Sequence, residues 1–206
     1  EAMLAEFEKG ARELLKEFPD RTEPWQLLLS LAESMGADKA GDIAREVIAS
    51  EKAPEKMKDS ARGLLKKFEA LGKPLDIKFT ALDGREVDLS AMKGKVVLVD
   101  FWATWCGPCV AELPKVKAAY DALHPKGFEI VGISFDDDRE RLEAFLKKEN
   151  MTWPQYFDGK GWENEFGRQY SIHSIPTMWL VDKKGNLVDM AARNNLQDKV
   201  RKLLDE

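Results

Sequence analysis

The sequence has few cysteines, few histidines and no long apolar run. Cysteine occurs twice in 206 residues, at positions 106 and 109. Two cysteines three apart exclude a framework of structural disulfides. Histidine also occurs twice, at 124 and 173. Zinc wants four ligands, and neither histidine stands at ligand spacing, so no metal site is expected. No uncharged apolar stretch reaches the ~18 residues of a membrane-crossing helix. Neither charge sign dominates, since 32 basic and 37 acidic residues leave a net charge of −5. That balance gives no electrostatic footprint for nucleic acid or an anionic membrane. No segment is of low complexity. The chain opens at Glu1 without a signal-like segment, which is compatible with a processed or trimmed chain.

What is present divides into two parts. Residues 3–18 carry Leu4, Phe7, Ala11, Leu14, Leu15 and Phe18 at helical spacing. Pro19-Asp20 ends that run, and Thr22-Glu23-Pro24 starts a second helix, with Trp25, Leu28, Leu29 and Ala32 on one face. Ile43, Val47 and Ile48 mark a third helix over 38–50. Ala53-Pro54-Glu55 opens a fourth, with Met57, Ala61, Leu64, Leu65 and Phe68 inward. Four amphipathic helices over 1–72 predict a small all-α domain whose apolar faces close on each other. Gly72-Lys73-Pro74 marks the boundary.

From residue 74 the periodicity changes. Two short strands flank Asp83-Gly84, a hairpin signal. Val96 to Val99 is a short β-branched run and reads as a buried strand. A helix is predicted over 109–123 and a second buried strand over 128–135. A helix over 139–149, a short strand over 154–157 and a short helix over 164–170 follow. Strands over 177–181 and 187–190 and a closing helix over 196–205 complete the chain. Strands alternating with helices imply an α/β layer fold for 74–206, and the final hairpin makes its sheet mixed.

The chemistry concentrates in residues 96–114, VVLVDFWATWCGPCVAELP. Cys106-Gly107-Pro108-Cys109 stands where a strand passes into a helix. A helix N-terminus has unpaired N–H groups and a partial positive charge, and both favour a thiolate. The thiolate is the species that attacks disulfides. Cys106, at the helix start, is expected to be the more exposed and attacking thiol. Cys109, one turn inside, is expected to resolve the mixed disulfide.

These residues resemble the active site of the thioredoxin superfamily, and more narrowly that of the TlpA/ResA-like thiol-disulfide oxidoreductases. Val110-Ala111-Glu112-Leu113-Pro114 supplies that group's C-x-x-E-x-P continuation. Tyr170 to Thr177, YSIHSIPT, is similar to the thioredoxin segment that holds a cis-proline opposite the cysteines. The stretch from Pro114 to Pro176 is longer than in ordinary thioredoxin, as in the group's central insertion. The resemblance covers about residues 74–206. It implies a thioredoxin-like mixed central sheet flanked by helices, and no family match is seen for 1–70.

The resemblance also implies roles. Asp100, six residues before Cys106, matches thioredoxin's buried aspartate. Burial raises a carboxyl pKa, so Asp100 could take or deliver the Cys109 proton. The lysine that pairs with that aspartate in thioredoxin aligns with Gly132 here. Glu112 matches a glutamate near the active site of ResA-like proteins and could share the proton work. Pro176 is expected to be cis. Trp105, Gly107, Pro108, Ile175 and Pro176 would line the client groove, bordered by His173. Gly107-Pro108 is the thioredoxin dipeptide, whose couple lies near about −270 mV and favours electron donation. The expected partners are protein disulfide or dithiol clients and a thiol electron donor, in the periplasm or cell envelope. Membrane contact would come only through an anchor or partner outside this chain. No cofactor beyond the dithiol is implied.

Other features read more plainly. Asp136-Asp137-Asp138, between a strand and a helix, predicts a helix N-cap and a solvated turn. Trp162, after the glycines at 159 and 161, is either core or groove wall. Two alternative functions stand beside the redox reading. One is a thiol peroxidase, although the Pro-x-x-x-Thr-x-x-Cys context is absent. The other is a partner-binding module carrying a passenger redox domain.

Overall fold

The computed structural model describes residues 2–206. The chain forms two units. One runs through Glu69 and includes Gln169–Ser171, and the other comprises Ala70–Arg168 and Ile172–Glu206. The division falls just before Gly72-Lys73-Pro74. Gly72 N–H donates to the Leu187 carbonyl at 2.7 Å and Pro74 bridges to Asn186, which ties this segment to the second unit.

The first unit contains α1 (Ala2–Glu17), α2 (Thr22–Glu33), α3 (Ala37–Ala49) and α4 (Glu55–Glu69). Trp25, Leu28 and Ala32 from α2, Ile43 and Val47 from α3, and Met57, Ala61 and Leu64 from α4 bury their side chains together. Trp25 also satisfies its indole by donating to the Pro19 carbonyl at 2.8 Å.

The face of α1 differs from the sequence expectation. Phe7 is 57% exposed, and Leu14 and Phe18 are exposed as well. The inward stripe instead runs through Glu8, Ala11, Arg12 and Leu15. Glu8 pairs with Lys39 at 2.7 Å, and Arg12 with Glu46 at 2.6 Å, both partners lying on α3. The ion pairs to α3 lie on the same face of α1 as buried Ala11 and half-buried Leu15, so the packed face is not the one that carries Phe7 and Leu14.

In the second unit, β1 (Lys78–Thr80) and β2 (Glu86–Asp88) form an antiparallel hairpin. Its turn is closed at Gly84, where φ is +86°, a conformation that favours glycine. The main sheet has the order β5-β4-β3-β6-β7. It consists of β3 (Val96–Trp102), β4 (Phe128–Ser134), β5 (Gln155–Tyr156), β6 (Thr177–Val181) and β7 (Leu187–Asp189). Strands β3, β4 and β5 run parallel, and β6 and β7 are antiparallel to their neighbours. This is the mixed sheet expected from the sequence.

Every residue of β3 is buried, which is why that strand reads as one apolar run broken only by Asp100. Helices α5 (Gly107–Leu123), α6 (Arg139–Lys148), α7 (Glu165–Gln169) and α8 (Leu196–Asp205) complete the chain. Among the described residues, no helix is long and apolar enough to cross a membrane.

The contrast between Ile43 and Phe7 is testable. Ile43→Ala removes a side chain that is 2% exposed and should cost about 2–5 kcal/mol. Phe7→Ala should change stability by less than about 0.5 kcal/mol. Urea denaturation of the full chain, followed by helix circular dichroism, checks both.

Candidate active site

Strand β3 ends at Trp102, and Ala103-Thr104-Trp105 carries the chain over the sheet edge into α5. Cys106 is the N-cap of α5, with extended backbone angles, and Pro108 sits in the first turn. Its Sγ accepts the Cys109 N–H at 3.2 Å. The sulfur thus takes the place of the usual capping oxygen, and a thiolate there would meet both that N–H and the helix dipole. Cys106 and Cys109 are joined as a disulfide. The expectation that Cys106 is the more exposed is not met: the two residues are 5% and 6% exposed. Gly107 and Pro108 cover the outside of the loop, so position at the cap, rather than exposure, distinguishes the two sulfurs.

Asp100 lies on β3 between Gly132 of β4 and Met178 of β6. The alignment of Gly132 with thioredoxin's lysine position therefore coincides with the register. No charged partner faces the carboxyl from that position. Burial raises the Asp100 pKa from 3.8 to about 7. Its Oδ1 is buried without a hydrogen-bond partner. Asp100, Cys109, Leu113, Met151, Pro176 and Met178 line one small cavity of about 10 Å³, about the room of a single water. The cavity puts a carboxyl of near-neutral pKa, the inner sulfur and the Pro176 loop into one space. The Ile175–Pro176 peptide bond is cis.

Glu112 lies elsewhere. It is one turn beyond Cys109 on α5, pairs with Lys115 at 3.2 Å and with Arg193 at 3.2 Å, and does not line the Asp100 cavity. Burial pushes its pKa up, but the hydrogen bonds from Lys115 and Arg193 prevail and hold it below the usual carboxylate range. Arg193 belongs to the segment after β7, so that segment is tied to α5 through charge. His173 is exposed, and Ile175 is half-buried.

Trp105 is 41% exposed and Trp162 47%. Their ring centroids are 6.0 Å apart, and Trp162 also meets Phe135 edge-on at 5.3 Å. Trp162 is thus wall rather than core, and it extends the apolar surface beside the disulfide.

Asp136 departs most from its sequence reading. It is 1% exposed, not part of a solvated turn. It accepts the Thr104 N–H at 3.0 Å, the Thr104 hydroxyl and the Ser134 hydroxyl at 2.8 Å. Two residues before Cys106, the loop is therefore strapped to the end of β4. Asp138 alone takes the N-cap role for α6, accepting the Arg141 N–H at 3.0 Å. The available signal was parity: Asp136 directly continues a buried strand, where a carboxylate needs partners. Gln155, 2% exposed on β5, was also missed. Its Oε1 accepts the Trp102 indole N–H at 2.9 Å.

The chain is similar to known redox proteins over much of its length. The Redoxin family matches residues 52–205. The thiol-disulfide oxidoreductase ResA of Bacillus cereus is 34% identical over 110 residues, which cover 53% of this chain and 62% of that protein. The chain thus spans less than two thirds of that relative's length. The thioredoxin domain of a thiol-disulfide oxidoreductase from Bacteroides vulgatus superposes with a TM-score of 0.58 at 32% identity, covering 65% of this chain and 97% of that one. A thiol-disulfide oxidoreductase from Bacteroides fragilis gives 0.56 at 27% identity, covering 63% and 98%.

Two outcomes follow from the buried carboxylates. Asp100 has a raised pKa in the fold, so its contribution to stability is full below about pH 4 and is lost as pH rises through about 7. Asp100→Asn should flatten that fall and stabilise the protein at pH 8 by on the order of 4 kcal/mol, read by urea denaturation at a series of pH values. Asp136→Ala leaves the Thr104 N–H unpaired and should cost about 2–4 kcal/mol, measured in the same way.

Proposed function

The chain belongs to the Redoxin family, and on that premise we propose that it is a thiol-disulfide oxidoreductase of the TlpA/ResA-like kind, reducing protein disulfides. The observation that carries this reading is the Cys106–Cys109 pair at the start of α5, with Cys109 sharing a cavity with Asp100 and Pro176. In the reduced protein, the Cys106 thiolate attacks one sulfur of a client disulfide. An S–S bond forms between Cys106 and the client, and the second client sulfur leaves as a thiolate and takes a proton from solvent. Cys109 then gives its proton to ionised Asp100 and attacks the Cys106 sulfur. The intramolecular disulfide forms, and the first client sulfur leaves with the second electron pair.

A carboxyl whose pKa lies at about 7 is part ionised and part protonated at neutral pH. It can therefore accept the Cys109 proton in this direction and return it when the disulfide is re-reduced. Re-reduction needs a thiol electron donor. The dithiol itself is the only redox group required, with no further cofactor or metal. Glu112, held ionised between Lys115 and Arg193, acts on the field around α5 rather than by moving the proton. The groove is formed by Trp105, Gly107, Pro108, Ile175 and Pro176, with His173 at its border and Trp162 added to the wall.

The TlpA/ResA resemblance supports a setting outside the cytoplasm and a membrane-anchored or periplasmic protein client. The helical unit would tune client choice or assembly, and the fragment 74–206 would keep dithiol activity because all of these residues lie within it. A Cys109→Ser variant should accumulate a lasting mixed disulfide through Cys106, visible on non-reducing gels. Cys106→Ser should trap nothing, and both should lose insulin reduction. Trapping only by Cys106→Ser would reverse the two roles. Peroxide consumption outpacing insulin reduction would favour a thiol peroxidase instead.

A further inference from the structure

Among the described residues, two buried polar atoms on the same sheet face have no hydrogen-bond partner. One is Asp100 Oδ1, an acceptor when ionised. The other is Gln155 Nε2, a donor. Asp100, Gly132 and Gln155 are register partners across three adjacent parallel strands. Register partners in a parallel sheet project to the same face, with strands about 4.8 Å apart. Gly132 has no side chain to separate the other two. The Gln155 carboxamide occupies the place its Cβ would take: a Cβ built on Gly132 would lie 2.0 Å from Gln155 Oε1 and 2.7 Å from Nε2. The amide therefore lies over β4, one strand spacing from Asp100.

Its orientation is fixed by chemistry. The Trp102 indole is a donor only, so the atom it meets at 2.9 Å must be the carbonyl oxygen. The two N–H bonds of Nε2 are left for something else. We propose that Gln155 is a positioning residue for Asp100: its amide nitrogen, lodged over Gly132 and held by Trp102, donates to the Asp100 carboxylate directly or through one water. The inference deepens the redox reading above and rests on Asp100 acting with Cys109.

A donor to the ionised carboxylate favours it, so Gln155 offsets part of the effect of burial and keeps Asp100 usable as a base near neutrality. The groups facing Asp100 are few. Helix α5 contributes Cys109, β4 contributes Gly132, and β6 contributes Met178. Trp102, Val110, Leu113, Val116, Met151 and Pro176 complete the lining, so Cys109 is the titratable neighbour in that cavity. On the far side, Asp83, Glu143 and Lys147 share a second cavity with Gln155.

The test is an NMR titration of the full chain in its disulfide form, in which Cys109 does not titrate. The Gln155 side-chain amide signal should move with the same midpoint as the Asp100 carboxyl carbon, and that step should vanish in Asp100→Asn. Steps from Asp83 or Glu143 would survive that substitution. Gln155→Met, which removes the donor, and Gly132→Ala, which expels it, should each raise the Asp100 midpoint by at least about half a pH unit. The double variant should shift no further than either single one. A wild-type amide signal that ignores the Asp100 titration overturns the proposal, whether or not the variants fold. So does a folded Gln155→Met with an unmoved midpoint. Loss of the redox reading would appear separately, as absent insulin reduction with these titrations intact.

Discussion

The site depends on a carboxyl group buried in the middle of an apolar sheet. Strand β3 is covered on both faces, and Asp100 is the polar break in it. Removal from water raises its pKa to about 7, and among the described residues no opposing charge lowers it. The same burial places it in one small cavity with Cys109. An aspartate on an exposed strand end would be fully ionised at neutral pH. Burying it is destabilising to the fold once it ionises.

Around that carboxyl, the geometry is held by polar groups rather than by apolar packing alone. Asp136 grips the loop before Cys106 through the Thr104 amide, and Ser134 supports Asp136 in turn. The Cys106 sulfur caps α5 by accepting from Cys109. Trp102 and Gln155 bridge β3 and β5 over Gly132. Each contact ties the Cys106–Cys109 turn or the strands beside it into the sheet. Trp105 and Trp162 stay exposed, with ring centroids 6.0 Å apart.

The helical unit follows different rules. Its core joins Ala11 of α1 to Trp25 and Leu28 of α2, Ile43 and Val47 of α3, and Met57 and Leu64 of α4. Helix α1 turns Ala11 inward, beside the Glu8 and Arg12 pairs to α3, and leaves Phe7 and Leu14 outside. Patterning argued for helices here and was right about their existence, but it ranked large apolar residues above ion pairs in setting the buried face of α1.

Local information was legible throughout. Periodicity, proline and glycine placement located the helices and strands, because each element's signal lies within a few consecutive residues. The C-x-x-C pair was legible in the sequence itself, whereas Asp100, the cis-Pro176 and the position of Gly132 opposite Asp100 were legible only through the resemblance to thioredoxin-like sequences. What only the tertiary structure decided was which polar residues meet. The burial of Asp136, the pairing of Glu112 with Arg193, the exposure of Trp162 and the placing of Gln155 over Gly132 all join residues distant in sequence. A carboxylate or amide reads the same in sequence whether solvated or enclosed. Its partners are set by strand register and loop closure, and those exist only once the chain has folded.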